Sequence, residues 1–364
     1  MTVTMTTIAP APSRVRVGLI DSDIHNTPAP GALARYLPER WRAYHERFGR
    51  PGYPGAYYPK ASPNAARSDS WPSTGGPPGS DLAFLRAQLL DAWSIEYGIL
   101  NTLVTIRNQL HDYDAALAQA FNDWQIAEWL EPEPRLRASL VVPCDDGDLA
   151  AAEVHRLGGD PRFVQILLPV RTSEPLGKRR YWPLYQAAVA HNLPIGIHFG
   201  GGSGYPITGA GWPSFYIEDH SGMAQSFQAQ LISLVCEGVF EHFPTLKIVL
   251  IEGGFAWLPA LKWRLDRSWR RLRDEVPHLR RPPSDYLRAN VWVCTQPIDE
   301  PPERAHFEQL IRRVEQAGVL DRIVYASDYP HWDWDAPDES IPAWLPADVR
   351  RRIYFENARQ LYRL

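Results

Sequence analysis

The chain has 364 residues, is 45% hydrophobic and 22% charged, and carries a formal charge of −4. That slight acidity excludes a nucleic-acid binder relying on overall positive charge, while the length suits two or three small domains or one α/β barrel. Cys144, Cys236 and Cys294 lie far apart with no CxxC pair, so they are expected as reduced core thiols of a cytoplasmic protein.

Residues 1–14 lack a basic start followed by a continuous apolar run, and are expected as a flexible tail rather than a signal peptide. No apolar run is long enough to span a bilayer, so no membrane partner is expected. The remainder, 15–364, is expected to be one domain. Its first stretch, VRVGLIDSDIH (15–25), reads as an apolar strand that stops in Asp21, Asp23 and His25. Side chains two apart on an extended chain point the same way, so Asp23 and His25 can face one point. A carboxylate oxygen beside an imidazole nitrogen suits a divalent metal ion; the other reading is a polar turn after a buried strand.

Residues 26–80 show little periodicity beyond a helical piece, Leu37–Phe48, and are rich in Gly, Pro and Tyr. So long a connection needs a functional explanation. Tyr53, Tyr57, Tyr58 and Trp71 suit a lid over a pocket, with Arg67 expected to face a substrate anion or else to be a surface arginine.

Asp81 then caps a predicted helix to about Tyr97, followed by the apolar run GILNTLV. Tyr113–Leu130 is a predicted helix whose apolar face is Leu117, Phe121 and Trp124. Strands LRASLVVP, FVQILLPV, LPIGIHFG, LKIVLIEGG, NVWVCTQP and RIVYASDYP follow, separated by helices at DLAAAEVHRL, Tyr181–Ala190, His220–Phe243, Trp257–Val276 and Glu303–Ala317. These strands are almost continuously apolar, as in a parallel sheet covered on both faces. Eight strand candidates, with no Gly-rich turn after the first, favour a (β/α)8 barrel over a doubly wound sheet. The basic run 262–281 reads as an exposed helix with ion pairs Asp266–Arg270, Arg270–Asp274 and Arg271–Glu275, not a nucleic-acid site.

Chemistry in a barrel sits at the strand C-termini. Those ends read Asp21/Asp23/His25, Asn101, Cys144, Arg171, His198, Glu252, Gln296 and Asp328. Carboxylates ending strands this apolar must be paired, protonated or metal-bound, because an isolated buried charge is too costly. Nitrogen and oxygen donors together suit Zn²⁺, Mn²⁺ or Fe²⁺ better than Mg²⁺ or Ca²⁺.

The motifs DSDIH, IGIHFGGG, HFPTLKIVLIEGG and YASDYPHWD resemble the amidohydrolase superfamily. The likeness is to its branch of aminocarboxymuconate semialdehyde decarboxylase and resorcylate-type decarboxylases, and it implies a distorted (β/α)8 barrel around a catalytic metal. It implies metal ligation by Asp23, His25, His198 and Asp328. On the sixth strand the branch carries a histidine where this chain has Glu252, which departs from the decarboxylase pattern. His220 either replaces that histidine or makes a local hydrogen bond at a helix start. His331 and Asp333 are expected as supporting loop residues.

The leading expectation is a metal-dependent hydrolase of a small amide, ester or thioester, using one or two divalent ions. Asp328 takes a proton, and Glu252 is either a second-metal ligand or an acid/base. The alternative is a nonoxidative decarboxylase in which Asp328 protonates the ring carbon, and a third class is a silent ligand-binding barrel. A homodimer is a further expectation.

Overall fold

Apolar runs flanked by helices become eight parallel strands in the computed structural model, which describes residues 18–48, 65–104, 106, 110–200 and 207–364. They are β1 (Ile20–Ile24), β2 (Tyr97–Leu100), β3 (Leu136–Val141), β4 (Phe163–Pro169), β5 (Ile195–His198), β6 (Ile248–Ile251), β7 (Val291–Cys294) and β8 (Ile323–Val324). Each pairs with the next in sequence, in the order β1 to β8. The ends meet where Ser22 N donates to Tyr325 O (2.9 Å), His25 N to Tyr329 O (2.7 Å) and Asp328 N to Asp23 O (3.1 Å). The architecture is the (β/α)8 barrel.

Burying such strands on both faces supplies most of the stability, roughly 1.5–3 kcal/mol per large apolar side chain. One cluster joins Ile20, Ile99, Val249, Ile251 and Trp292 to Leu361 and Tyr362 of the C-terminal helix Asn357–Tyr362. A larger one fills the layer between strands and outer helices. Among the described residues no helix is long and apolar enough to cross a membrane.

Register fixes the height of the mouth. His198 pairs with Pro169 on one side and Ile251 on the other, so Glu252 leaves its strand directly beside it. Both Glu252 (φ 59°) and Asp328 (φ 61°) turn out of their strands in the left-handed region.

Several elements differ from expectation. The helix capped by Asp81, which accepts from Phe84 N at 3.0 Å, is α only over Leu82–Leu85. It continues as a wider π turn to Asp91, and Tyr97 belongs to β2. The single helix expected over His220–Phe243 is three: Tyr216–Gly222, Ala224–Cys236 and Val239–His242, the last break made by Gly238 at φ 78°. In the basic helix Leu258–Arg271 none of the three expected ion pairs forms; Asp266 Oδ1 instead accepts from Ser284 N at 2.8 Å. Helix Pro283–Asn290 was not expected.

The expected tail, 1–14, lies outside the described residues, as do Tyr53, Tyr57 and Tyr58 of the expected lid. The described end of that segment packs on the loop after β8. Arg67 N donates to Pro330 O, Trp332 N to Ala65 O, and Thr27 N to Gly79 O. Gly79 (φ +75°) approaches so closely that a Cβ there would lie 2.3 Å from His25 O.

Candidate metal centre

Four side chains at the C-terminal mouth point into one space. Asp23 and His25 leave β1, His198 ends β5, and Asp328 follows β8. Each offers a ligand atom, all within 4.8 Å of one another. Both carboxylates are fully buried, and the histidines nearly so. His25 Nε2 lies 2.8 Å from Asp328 Oδ1 and 3.5 Å from Asp23 Oδ1, and His198 Nε2 lies 3.2 Å from Asp23 Oδ2. Donors held about 2.1 Å from one ion stand about 3.0–3.5 Å apart; the two Asp23 spacings fall in that range, and the 2.8 Å His25–Asp328 contact is a hydrogen bond that would open slightly around an ion.

The second layer sets the histidine tautomers. His25 Nδ1 donates to Asn101 O (2.7 Å) and His198 Nδ1 to Phe199 O (2.6 Å). Each ring proton is thereby placed outward and each Nε2 lone pair turned inward, as a metal ligand requires. Asn101 Nδ2 also donates to Asp23 Oδ1 at 2.8 Å. Its own Oδ1 accepts from Ser139 Oγ (2.6 Å) and Gln165 Nε2 (3.2 Å). Gln165 reaches that position because β5 carries Gly196, where a Cβ would stand 2.6 Å from the Gln165 amide.

Charge favours a cation as strongly as geometry does. Burial lowers the His25 imidazole, but Asp23 and Asp328 outweigh it and push it up to about 9. Burial favours neutral Asp328, yet His331 and His25 hold its carboxyl well below the usual range. A pocket that stabilises a protonated imidazole this strongly will also stabilise a metal ion in its place. The donor set of two imidazoles and two carboxylates fits a divalent transition metal.

A second group stands beside the first. His220, Glu252 and Asp333 also bring ligand atoms within 4.8 Å of one another. His220 Nε2 lies 2.9 Å from Asp333 Oδ2, within a surround of Phe199, Tyr216 and Trp332. Burial, then the Asp328 charge, push Glu252 well above the ordinary carboxylate range. Gln296 Nε2 links the groups, lying 3.4 Å from Asp328 Oδ2 and 3.1 Å from Asp333 Oδ2.

The other expected residues fall as follows. Arg67 forks onto Asp69 (2.9 and 2.6 Å) and lies 4.1 Å over the Trp334 ring, so a substrate anion would compete with a carboxylate already bound. His331 touches the quartet directly, its Nδ1 2.7 Å from Asp328 Oδ1. Ser139 and Gln165 were missed, although polar residues inside the runs LRASLVVP and FVQILLPV were a readable signal.

Comparison with known proteins gives three kinds of match. A family model described as "Amidohydrolase" covers residues 20–364. Gamma-resorcylate decarboxylase of Polaromonas sp. strain JS666 is 26% identical over 304 residues, covering 78% of this chain and 88% of that enzyme. The solved 5-carboxyvanillate decarboxylase of Sphingomonas paucimobilis superposes with a TM-score of 0.70 at 20% identity, over 96% of this chain and 100% of that one. That of Novosphingobium aromaticivorans, solved with manganese and 4-hydroxy-3-methoxy-5-nitrobenzoic acid, gives 0.67 at 20% identity over 95% and 96%.

Proposed function

The chain belongs to the amidohydrolase family, and on that premise we propose that it is a metal-dependent nonoxidative decarboxylase of a hydroxylated aromatic acid. The observation that carries this reading is the match to gamma-resorcylate decarboxylase over 88% of that enzyme's length. It moves the reading from the expected hydrolase to its alternative. The departure at Glu252 is compatible with this reading if His220, whose imidazole lies within 4.8 Å of the Glu252 carboxylate, serves in place of the histidine that the branch carries there.

Asp23, His25, His198 and Asp328 would hold the ion, and manganese is the metal favoured by the relative solved with it. When bound, it would supply the positive charge that holds a carboxylate and an adjoining phenol oxygen. The chain's own residues then handle the proton. Net decarboxylation breaks the bond between ring carbon and carboxylate, leaves the electron pair on the ring, and consumes one proton. Asp328 is placed to deliver that proton, resupplied by His331 at 2.7 Å, whose side chain is 14% exposed and so open to solvent. Asp328 would carry the proton between His331, to which it is hydrogen-bonded, and the ring carbon.

The test is to incubate manganese-loaded protein with gamma-resorcylate and a panel of hydroxylated benzoates in heavy water. Expected are CO₂ and a product deuterated at the vacated ring position. Should no acid lose CO₂ while an ester or amide is hydrolysed with solvent oxygen incorporated, the hydrolase expectation returns.

A further inference from the structure

The three donors beside the quartet come from three separate elements: helix Tyr216–Gly222, the end of β6, and the loop after β8. Their convergence is therefore a product of the fold, not of sequence proximity. Glu252 is only 5% exposed, and among the described residues no hydrogen bond reaches its carboxylate. His198 Nε2 lies 3.5 Å from its Oε2. A buried carboxylate so poorly partnered costs several kcal/mol. Charge counting sharpens the point. Asp23 and Asp328 bring two negative charges, which one divalent ion balances; Asp333 is paired with His220, and Glu252 can carry a charge only with a further cation beside it.

We propose that His220, Glu252 and Asp333 bind a second divalent transition-metal ion beside the first, with Glu252 facing both. His220 Nε2 and Asp333 Oδ2, a hydrogen-bonded pair 2.9 Å apart, need open only slightly to stand as two ligands of one ion. One imidazole and two carboxylates leave positions open for substrate oxygens. The open side is toward the mouth, where the His220 and Asp333 side chains are 16% and 14% exposed. This second ion is the more weakly held and the more readily exchanged, since two of its three ligands are reached by solvent. The proposal goes beyond the decarboxylase reading and does not depend on which bond is broken.

The experiment titrates metal-depleted full-length protein with Mn²⁺, counting bound metal by elemental analysis and recording low-temperature electron paramagnetic resonance. Saturation is expected at about two equivalents, with the six-line signal of the first ion broadened by coupling to its neighbour. His220→Asn and Asp333→Asn should each retain about one equivalent and an uncoupled spectrum. Wild-type protein saturating at one equivalent, or an uncoupled wild-type spectrum at saturation, overturns the proposal whatever the variants do. So does a second equivalent that survives both substitutions. If the single equivalent is lost in Asp328→Asn, only the second site falls; CO₂ release from the same preparation judges the decarboxylase reading separately.

Discussion

The quartet Asp23, His25, His198 and Asp328 and the triad His220, Glu252 and Asp333 stand side by side, yet they are held by different means. Asp23, His25 and His198 sit at strand ends, Asp328 is tied to β1 by its N donating to Asp23 O at 3.1 Å, and both imidazoles are locked by backbone carbonyls at 2.6–2.7 Å. In the triad only Glu252 leaves a strand; His220 sits on a seven-residue helix and Asp333 in a loop. Strand ends give fixed geometry, because moving them means breaking the ladder on both sides. Loops and short helices cost less to move, so the triad can follow a substrate while the quartet stays fixed.

Replacing residues on each side tests that contrast. The largest effect is expected for Asp328→Ala, which removes a ligand and leaves His25 and His331 without their shared carboxylate. Turnover should fall at least about 10³-fold and bound manganese should be lost; measurable CO₂ release with metal retained would break the distinction. Asp333→Asn should lower turnover about 10- to 100-fold while the quartet keeps its metal, as read by elemental analysis beside initial rates.

Asn101→Ala probes what fixes the quartet. It removes the donor to Asp23 and the acceptor of Ser139 Oγ, leaving Gln165 Nε2 only its bond to Ser139 Oγ. Metal affinity, measured by competition with a chelator, should fall about 10-fold. The midpoint of chemical denaturation should drop by an amount worth about 1–3 kcal/mol. The smallest effect is expected for Arg67→Ala. With its guanidinium committed to Asp69 and Trp334, its loss should change KM by less than about 3-fold and cost about 0.5–1 kcal/mol. A KM rise of 100-fold would instead place Arg67 on the substrate.

The barrel was legible because its strands are nearly unbroken apolar runs; strand ends offered Asp23, His25, His198, Glu252 and Asp328 alike, and the family resemblance picked out the four whose ligand atoms the structure brings together. Residues whose partners lie far off in sequence were harder to read. Gln296 ends NVWVCTQP, but its bonds to Asp328 and Asp333 depend on where the loop after β8 turns. His331 and Asp333 were expected as supporting loop residues, and the structure sets His331 against Asp328 and Asp333 against His220. The eighth strand was overestimated: RIVYASDYP is regular strand only at Ile323–Val324, and beyond it the chain keeps isolated bonds to β1, with Asp328 N donating to Asp23 O and His25 N to Tyr329 O.

The left-handed turns at Glu252 and Asp328 set evolution and engineering at odds. Each holds a residue with a Cβ in a conformation costing about 1–2 kcal/mol, which glycine would adopt freely. Glu252→Gly would relieve that strain and remove a buried charge in one change, so the metal-free protein should melt higher while losing its second group of donors. A search for thermostable variants scored on folding alone would therefore find Glu252 early, whereas Asp328 is held in place by its bonds to His25 and His331. Such a screen should be run with metal bound and turnover as a second criterion.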